Sequence, residues 1–541
     1  MRNKTFVWKL ATLTVRGFLP PLMALAVLAA ASGARAATLT VTSLKDSGHG
    51  SLREAIANAA AGDKITFRVK GTIKLTSGAL MITKDLDIEG PGPCMRDRDK
   101  CKGHDGRDSD GLTISGNHAS RVFVILSPDP TSPPKVTIAG VMISDGLANG
   151  SSPIFPSTGG GILNLASLIL SDDVVSNNQA LGDPGAALFG LFVGIGDGGG
   201  VGSFGTLAVT SCLFTGNLAR GGDTSIGALA PGLGLGGALA NYANMQVTGS
   251  QFVGNVAQGG SGCGTADAVE AGVAHAGAVA NVGTMTITAS TFSHNQGIGG
   301  NHNSGVSGGN AFGGTIASGE LFGPVSLEVS DSQFDHNQAI GGNDDLGGPV
   351  FSNGSASGAG YGAAFHFWGG PGTISGCTLD HNEALGGAGG PGAPGGFGFG
   401  AAINIEGTSE VTVADCTVEH NMALGGAGGV GGNGAAGLGG GLRSGGGTLT
   451  VINTTVAHNH AQGGQGNAGG QGGDGQGGGL QTFGGSLILK GAIVTDNLAL
   501  GGRPGGQGIG GGVYNAGTFT FDATTVIAKN HASTSGDNVG P

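Results

Sequence analysis

Five histidines stand one residue before an asparagine in successive copies of a short phrase: His294, His336, His381, His420 and His458. In the middle three copies an acid immediately precedes the histidine: Asp335, Asp380 and Glu419. If the copies stack as neighbouring strands, like residues lie ~4.8 Å apart. Carboxylates that close repel one another, which raises some of their pKa values unless a cation or a protonated imidazole compensates. Two readings follow. Asp335, His336, Asp380, His381, Glu419 and His420 hold a divalent cation, Ca2+ on the oxygens or Zn2+ or copper on the imidazoles. Alternatively the phrase is a solvated turn on which imidazoles stack, and no cofactor is required.

Other candidates are sparser. Ser171-Asp172-Asp173 holds an adjacent acidic pair, but neighbours along a strand point to opposite faces. Phe365-His366-Phe367-Trp368 is the one aromatic cluster. Alternation puts the phenylalanines on one face and His366 and Trp368 on the other. With the phenylalanines in a core, His366 and Trp368 form a platform for stacking a sugar, or Trp368 merely snorkels from a core strand. No Ser/His/Asp or Cys/His arrangement has catalytic spacing, and no CxxC suggests a zinc site.

The elements that position these residues come from the phrase itself. Asn178, Asn217, Asn255, Asn295, Asn337, Asn382, Asn421, Asn459, Asn497 and Asn530 follow one another at intervals of 33 to 45 residues. Each has an apolar residue three positions earlier, and most are followed by Gly-Gly. A repeat of this period sets the architecture. Each unit holds a glycine pair opening a strand (Gly236-Gly-Ala-Leu239), an alternating strand (Met285-Thr-Ile-Thr288), the asparagine turn and a glycine-rich excursion of variable length. Units too short for crossover helices predict parallel strands wound as a β-helix, with inward asparagines bonded along the stack. The excursions, such as 386–400 and 463–479, are either mobile loops or extended segments that glycine lets approach closely.

Residues 37–110 read as a capping module and first coils, and 111–541 as the repeats. Ser51 and Glu54 have capping-box spacing, and Leu52, Ala55, Ile56 and Ala59 share one helical face. Such a helix covers the bare first edge of a solenoid.

The pairing of Gly-Gly-Ala-Leu239 with Phe252-Val-Gly-Asn255 resembles the repeat of the chlamydial polymorphic outer-membrane proteins. Gly50-Ser-Leu-Arg-Glu-Ala-Ile56 resembles the CSLREA segment of bacterial exported β-helix proteins, with Gly50 in place of its cysteine. The resemblance implies a right-handed parallel β-helix of the pectate-lyase type and says little about activity. This chain departs from surface-anchored relatives in showing no C-terminal barrel pattern or apolar tail after Asn530. Some helices of that type are polysaccharide lyases or glycoside hydrolases, working through clustered aspartates and a basic residue. Gly48-His49-Gly50 resembles a galacturonase tripeptide but lies in the start module. Lys and Arg are nearly absent from the middle coils.

The remaining bounds come from composition. Glycine supplies 117 of 541 residues, and only 11% are charged. Residues 1–36 carry five basic side chains, an apolar run from Leu22 to Ala31 and Ala34-Arg35-Ala36, the pattern of a signal peptide cleaved between Ala36 and Ala37. Removing them takes the formal charge from −12 to −17, which argues against nucleic acid and anionic membranes. No later run is long enough to cross a bilayer as a helix. Export permits disulfides. Cys94 and Cys101 bracket a short loop and are the best candidate pair, while Cys377 and Cys416 occupy equivalent coil positions, either bonded or as stacked free thiols. The expectation is a secreted or cell-surface, non-catalytic β-helix acting in adhesion or extracellular structure. Its partners would be glycans, matrix or copies of itself. The alternative is a carbohydrate-active enzyme on the same helix. Ice or mineral binding ranks lower, because no Thr-x-Thr ladder persists.

Overall fold

A computed structural model describes residues 36–92, 111–150, 155, 157–183, 194–223, 232–261, 272–301, 308–319, 325–344 and 357–541. Cys94, Cys101, Cys263 and the apolar leader lie outside the described residues. One coil illustrates the plan. Val279–Asn281 and Thr284–Thr288 enter the broadest sheet, Thr291–Ser293 a second and Gln296–Ile298 a third. The chain then makes its glycine excursion and returns as Ala311–Phe312 in a fourth sheet. Strands pair in parallel with their counterparts one coil later, and the phrase keeps its register: Phe292 beside Phe334, then Leu379, Val418 and Val456. The architecture is the parallel β-helix that the repeat predicts.

Period-two alternation drives each coil. In Thr284–Thr288, Met285 and Ile287 are buried while Thr284 and Thr286 face out. The apolar residue of the phrase also stacks on itself. The rings of Phe214, Phe252, Phe292 and Phe334 lie 4.6–4.8 Å apart and within 8° of parallel. Burying each such side chain contributes about 1.5–3 kcal/mol.

The asparagines form a continuous buried ladder. From Asn178 to Asn497 each Nδ2 donates to Oδ1 of the next asparagine at 2.9–3.0 Å. Each backbone N–H donates to that same oxygen, as Asn295 N does to Asn337 Oδ1 at 2.9 Å. The second Nδ2 proton goes to a carbonyl of the preceding coil, for Asn295 that of Phe252 at 2.9 Å. The glycine pair completes the site, because the backbone passes too close for a side chain. A Cβ on Gly478 would meet Gly511 O at 2.4 Å, and one on Gly479 would meet Asn497 Nδ2 at 2.9 Å.

Five residues before the asparagine runs a second ladder. The N–H of Cys212 donates to Ser250 Oγ, Ser250 to Ser290 and Ser290 to Ser332, at 3.1–3.2 Å. Cys377 and Cys416 continue it as thiols. Both are free and buried, and Cys377 N lies 3.3 Å from Cys416 Sγ. Of the two readings of this pair, stacked free thiols is the one observed, each cysteine standing in for a serine.

The single helix among the described residues, Leu52–Asn58, buries Leu52, Ala55 and Ile56. Ser51 Oγ accepts the Glu54 N–H at 3.2 Å. Glu54 reaches back one residue further than a capping box requires, accepting the Gly50 N–H at 2.6 Å. Arg53 ties the helix to the first coils, donating to Asp46 Oδ1 at 2.6 Å and to the carbonyls of Gly78 and Ala79 at 2.6 and 3.0 Å. Burial would raise the Asp46 carboxyl. Bonds from Ser77, Arg53 and the Thr76 N–H outweigh it and hold the group well below the usual carboxylate range. At the other end Thr518–Phe521 pairs with the preceding coil but with no later strand, leaving Phe521 exposed.

In the described excursions the glycine-rich segments are extended and closely packed. Each runs out and back, in a Gly-Gly-X pattern such as Gly425-Gly426-Ala427-Gly428-Gly429-Val430. Bonds to the next coil recur every third residue: Gly386, Gly389 and Gly392 donate to Leu424, Ala427 and Val430 at 2.8–2.9 Å. That is the repeat of a left-handed, three-residue extended helix. Outgoing and returning segments are stitched by an unbroken zigzag that steps from Gly502 through Gly473, Gly464, Ala435, Gly426 and Gly396 to Gly387 at 2.8–3.0 Å. X side chains such as Ala388, Ala427, Gln465 and Arg503 point outward. A Cβ on Gly426 would lie 1.9 Å from Gly387 O, inside the backbone of its neighbour.

Two substitutions test these devices. Asn337→Ala strands the Asn295 amide donors in a dry interior, and each buried unpaired group costs about 1–3 kcal/mol. Urea unfolding should show a loss of about 3 kcal/mol or more. An unchanged midpoint would mean that the ladder adds nothing. Gly426→Ala should lower the thermal midpoint by overpacking worth about 1–3 kcal/mol, whereas Ala427→Ser, one residue along on the outer face, should leave it unmoved.

Candidate functional site

The strand Thr291–Ser293 ends at His294, which takes a left-handed backbone (φ 56°) and so turns Asn295 inward. His336, His381, His420 and His458 repeat this at φ 51–55°. In other coils the same place is held by Asp145, Asn177, Gly216, Gly254, Asp496 and Lys529, also at positive φ. Short polar side chains and glycine tolerate this conformation best. The turn therefore needs a left-handed residue but has no need of an imidazole.

The five rings form a parallel column, with centroids 5.3, 4.8, 4.8 and 5.3 Å apart and tilts of 13° or less. Carboxylates reach it only in the middle. His336 Nδ1 lies 2.7 Å from Asp335 Oδ1, and Asp380 is shared, 2.9 Å from His381 Nδ1 and 3.1 Å from His420 Nδ1. Burial would raise the Asp380 carboxyl, but its bonds to His381 and His420 outweigh that and hold it below the usual range. Two groups of three side chains result, Asp335/His336/His381 and Asp380/His381/His420, each with ligand atoms within 4.8 Å of one another. Glu419 stands beside Asp380 in register yet belongs to neither group. Of the six residues singled out in the sequence, five come together and Glu419 does not.

The proposed sugar platform is corrected at His366. Phe365 and Phe367 are in the core and Trp368 is 53% exposed, as alternation predicts, but His366 is only 3% exposed. Its ring sits 5.0 Å from Phe312 and 5.6 Å from Tyr361, and its Nδ1 lies 3.1 Å from Asn404 Nδ2. The returning excursion strands lie over this outward face and make it a second interior. Burial, followed by the charge of Arg443, pushes His366 down to about 3. Trp368 alone remains available to a ligand.

Sequence reasoning missed what else fills this second interior. Arg443 is buried there, donating to Asn404 Oδ1 at 2.8 Å, Glu406 Oε1 at 3.1 Å and Gln481 Oε1 at 2.9 Å. Its guanidinium lies 4.3 Å from the centre of the Phe399 ring. Asp197 is buried as well, accepting from Tyr242 Oη at 3.0 Å and Thr158 Oγ1 at 3.3 Å, while its Oδ1 has no partner. The signal for both was faint: a lone charge in a glycine- and alanine-rich unit, where no solvated face explains it.

The acidic pair resolves into structure. Asp173 is buried in the hydroxyl ladder, accepting the N–H groups of Val141 at 2.9 Å and Ser171 at 3.2 Å, and burial pushes its carboxyl well above the usual range. His49, of the Gly-His-Gly tripeptide, is fully exposed in the start module. A surface concavity of about 390 Å³ does join acids to a base, with Asp183, Asp223 and Arg220 on its wall. Arg220 there is bound to both oxygens of Asp223 at 2.8 and 2.6 Å, and Asp223 Oδ1 also accepts the Ser261 N–H at 2.8 Å. That second bond is the one that Asn301 and Asn343 make two and three coils further on, so the carboxylate is part of the glycine ledge.

No family model matches the chain, and no curated protein matches it in sequence. Among solved structures it is similar to one titled ORF18 of Geobacillus virus E2, at a TM-score of 0.23 and 9% identity. The match covers 92% of this chain and 63% of that one. A likeness this faint carries no argument about function.

Asp197 yields a pH prediction. Burial pushes its carboxyl up to about 7, against the lowering effect of its bonds from Tyr242 and Thr158. A group raised in the folded state favours folding at low pH, and that contribution is lost as pH rises through the folded value. The thermal midpoint of the native chain should therefore fall between about pH 4 and pH 7.5 more than that of Asp197→Asn. Parallel curves for the two would mean that folding does not raise the Asp197 carboxyl.

Proposed function

We propose that this protein is a secreted or cell-surface scaffold, non-catalytic, that acts in adhesion or extracellular structure. One observation carries the reading. Most polar side chains inside the coils are spent on neighbouring coils: the asparagine ladder, Asp173, His366 and the Arg443 row. What faces outward is repetitive and weakly charged, as in the X residues of the Gly-Gly-X ledge. A surface of that kind suits repetitive partners: glycans, matrix or further copies of the chain. The export signal in residues 1–36 supports a location outside the cell, and the acidic balance speaks against nucleic acid. No helix among the described residues is long and apolar enough to cross a membrane.

A second reading, a polysaccharide lyase or glycoside hydrolase, rests on the concavity of Asp183, Asp223 and Arg220, where clustered acids and a base line a hollow. The compact unit Ala37–Pro541 is the sample that separates the two. Incubated with acidic and neutral polysaccharides, with and without Ca2+, it should release no unsaturated or reducing ends while binding immobilised polysaccharide or itself. Turnover that Asp223→Asn abolishes would replace the scaffold reading with the enzymatic one.

A further inference from the structure

We infer that the middle of the histidine column is a binding site for a divalent transition-metal ion of the zinc and copper class. Four observations combine. First, the fold asks only for a left-handed residue at this turn, and glycine, asparagine or aspartate serves in other coils, so the run of five imidazoles has no backbone explanation. Second, these side chains stay at the surface: His336, His381 and His420 keep 46–51% of their side-chain area exposed, and the Asp380 carboxylate keeps 33%. Third, carboxylates are supplied where the rings are closest. The two groups with ligand atoms within 4.8 Å fall on the three central rings, spaced 4.8 Å, and not on the outer ones, spaced 5.3 Å. Fourth, the strands beneath are paired in register, Asp335 beside Asp380, so the backbone positions that carry the ligands are aligned before any ion arrives.

The ligand chemistry selects the ion. Neutral imidazole nitrogen with one carboxylate suits zinc, copper or nickel, whereas Ca2+ needs six or more oxygens that this surface does not offer. Coordination through Nδ1 requires the ring proton to reside on Nε2. Both groups draw on His381, so one ring is common to every ion the column takes.

The test is Zn2+ titration of the full chain, without any polyhistidine tag, followed by calorimetry and by X-ray absorption at the zinc edge. His381→Asn keeps a side chain that tolerates the left-handed turn and removes the shared ligand. It should weaken binding at least the ~10-fold that loss of even an outer partner costs a metal site. His294→Asn and His458→Asn, at the ends of the column, should bind as the native chain does. The absorption spectrum should show a nitrogen and oxygen shell with imidazole scattering, and a Ca2+ titration should show no comparable heat. No Zn2+ binding, or binding that His381→Asn and Asp380→Asn both leave intact, would overturn the assignment. The melting curve of each variant, unchanged because these side chains lie outside the core, separates loss of a ligand from loss of fold.

Discussion

Everything in this molecule is set by one constraint: an amide side chain buried once per coil must find all its hydrogen-bond partners in the adjoining coils. Asn337 shows how. It donates to Asn382 and to the Phe292 carbonyl, and it accepts from both the side chain and the backbone of Asn295. In an apolar interior such a group is costly unless fully paired. A slip of one residue would break the chain of bonds and bury unpaired amides, so the ladder fixes register where a plain aliphatic stack would tolerate shifts. The left-handed residue before each asparagine and the glycine pair that passes close to its amide both follow from this requirement. The surface column of histidines is a by-product in geometry, since it stands on the turn that the asparagine imposes.

A second constraint acts outside the first barrel of strands. The described glycine excursions fold back over the outer face of the broad sheet and pair with one another chiefly by backbone bonds. They enclose an interior where Leu235, His275, Phe312, Tyr361 and Phe399 face Ala280, Ala317, His366 and Arg443. The coil thus has two cores of different character, one aliphatic and aromatic, the other lined by small residues with a few buried charges. The Arg443 guanidinium in the second is paired with Glu406 and bonded to Asn404 and Gln481, as a buried ion must be.

How much was legible in the sequence follows from this division. The period, the inward asparagines, the capping helix and the equivalence of Cys377 and Cys416 were readable, because each depends on spacing along the chain and on bonds between identical positions. The five central residues of the histidine column were readable for the same reason. Glu419 was not separable from Asp335 and Asp380, because register alone does not say which way an extra methylene carries a carboxylate. His366 was misjudged because alternation reports only which face a residue takes, and not that an excursion from elsewhere in the coil covers that face. Arg443 and Asp197 were invisible for a related reason. Their partners lie 37 to 45 residues away on neighbouring coils, and no spacing along the chain points to them.

The glycine ledge has a thermodynamic signature of its own. Its Gly-Gly-X segments are held mainly by peptide hydrogen bonds and, outside the short returning strands, carry little hydrocarbon to bury. Exposing apolar surface on unfolding raises the heat capacity, while exposing polar surface lowers it. The aliphatic barrel follows the usual dome of stability and loses driving force as water cools. The ledge opposes that curvature, because its unfolding hydrates peptide groups instead of methylenes. A chain with so large a share of its structure in such a layer has a flatter dependence of stability on temperature than its length would imply, and it keeps its outer face ordered in the cold.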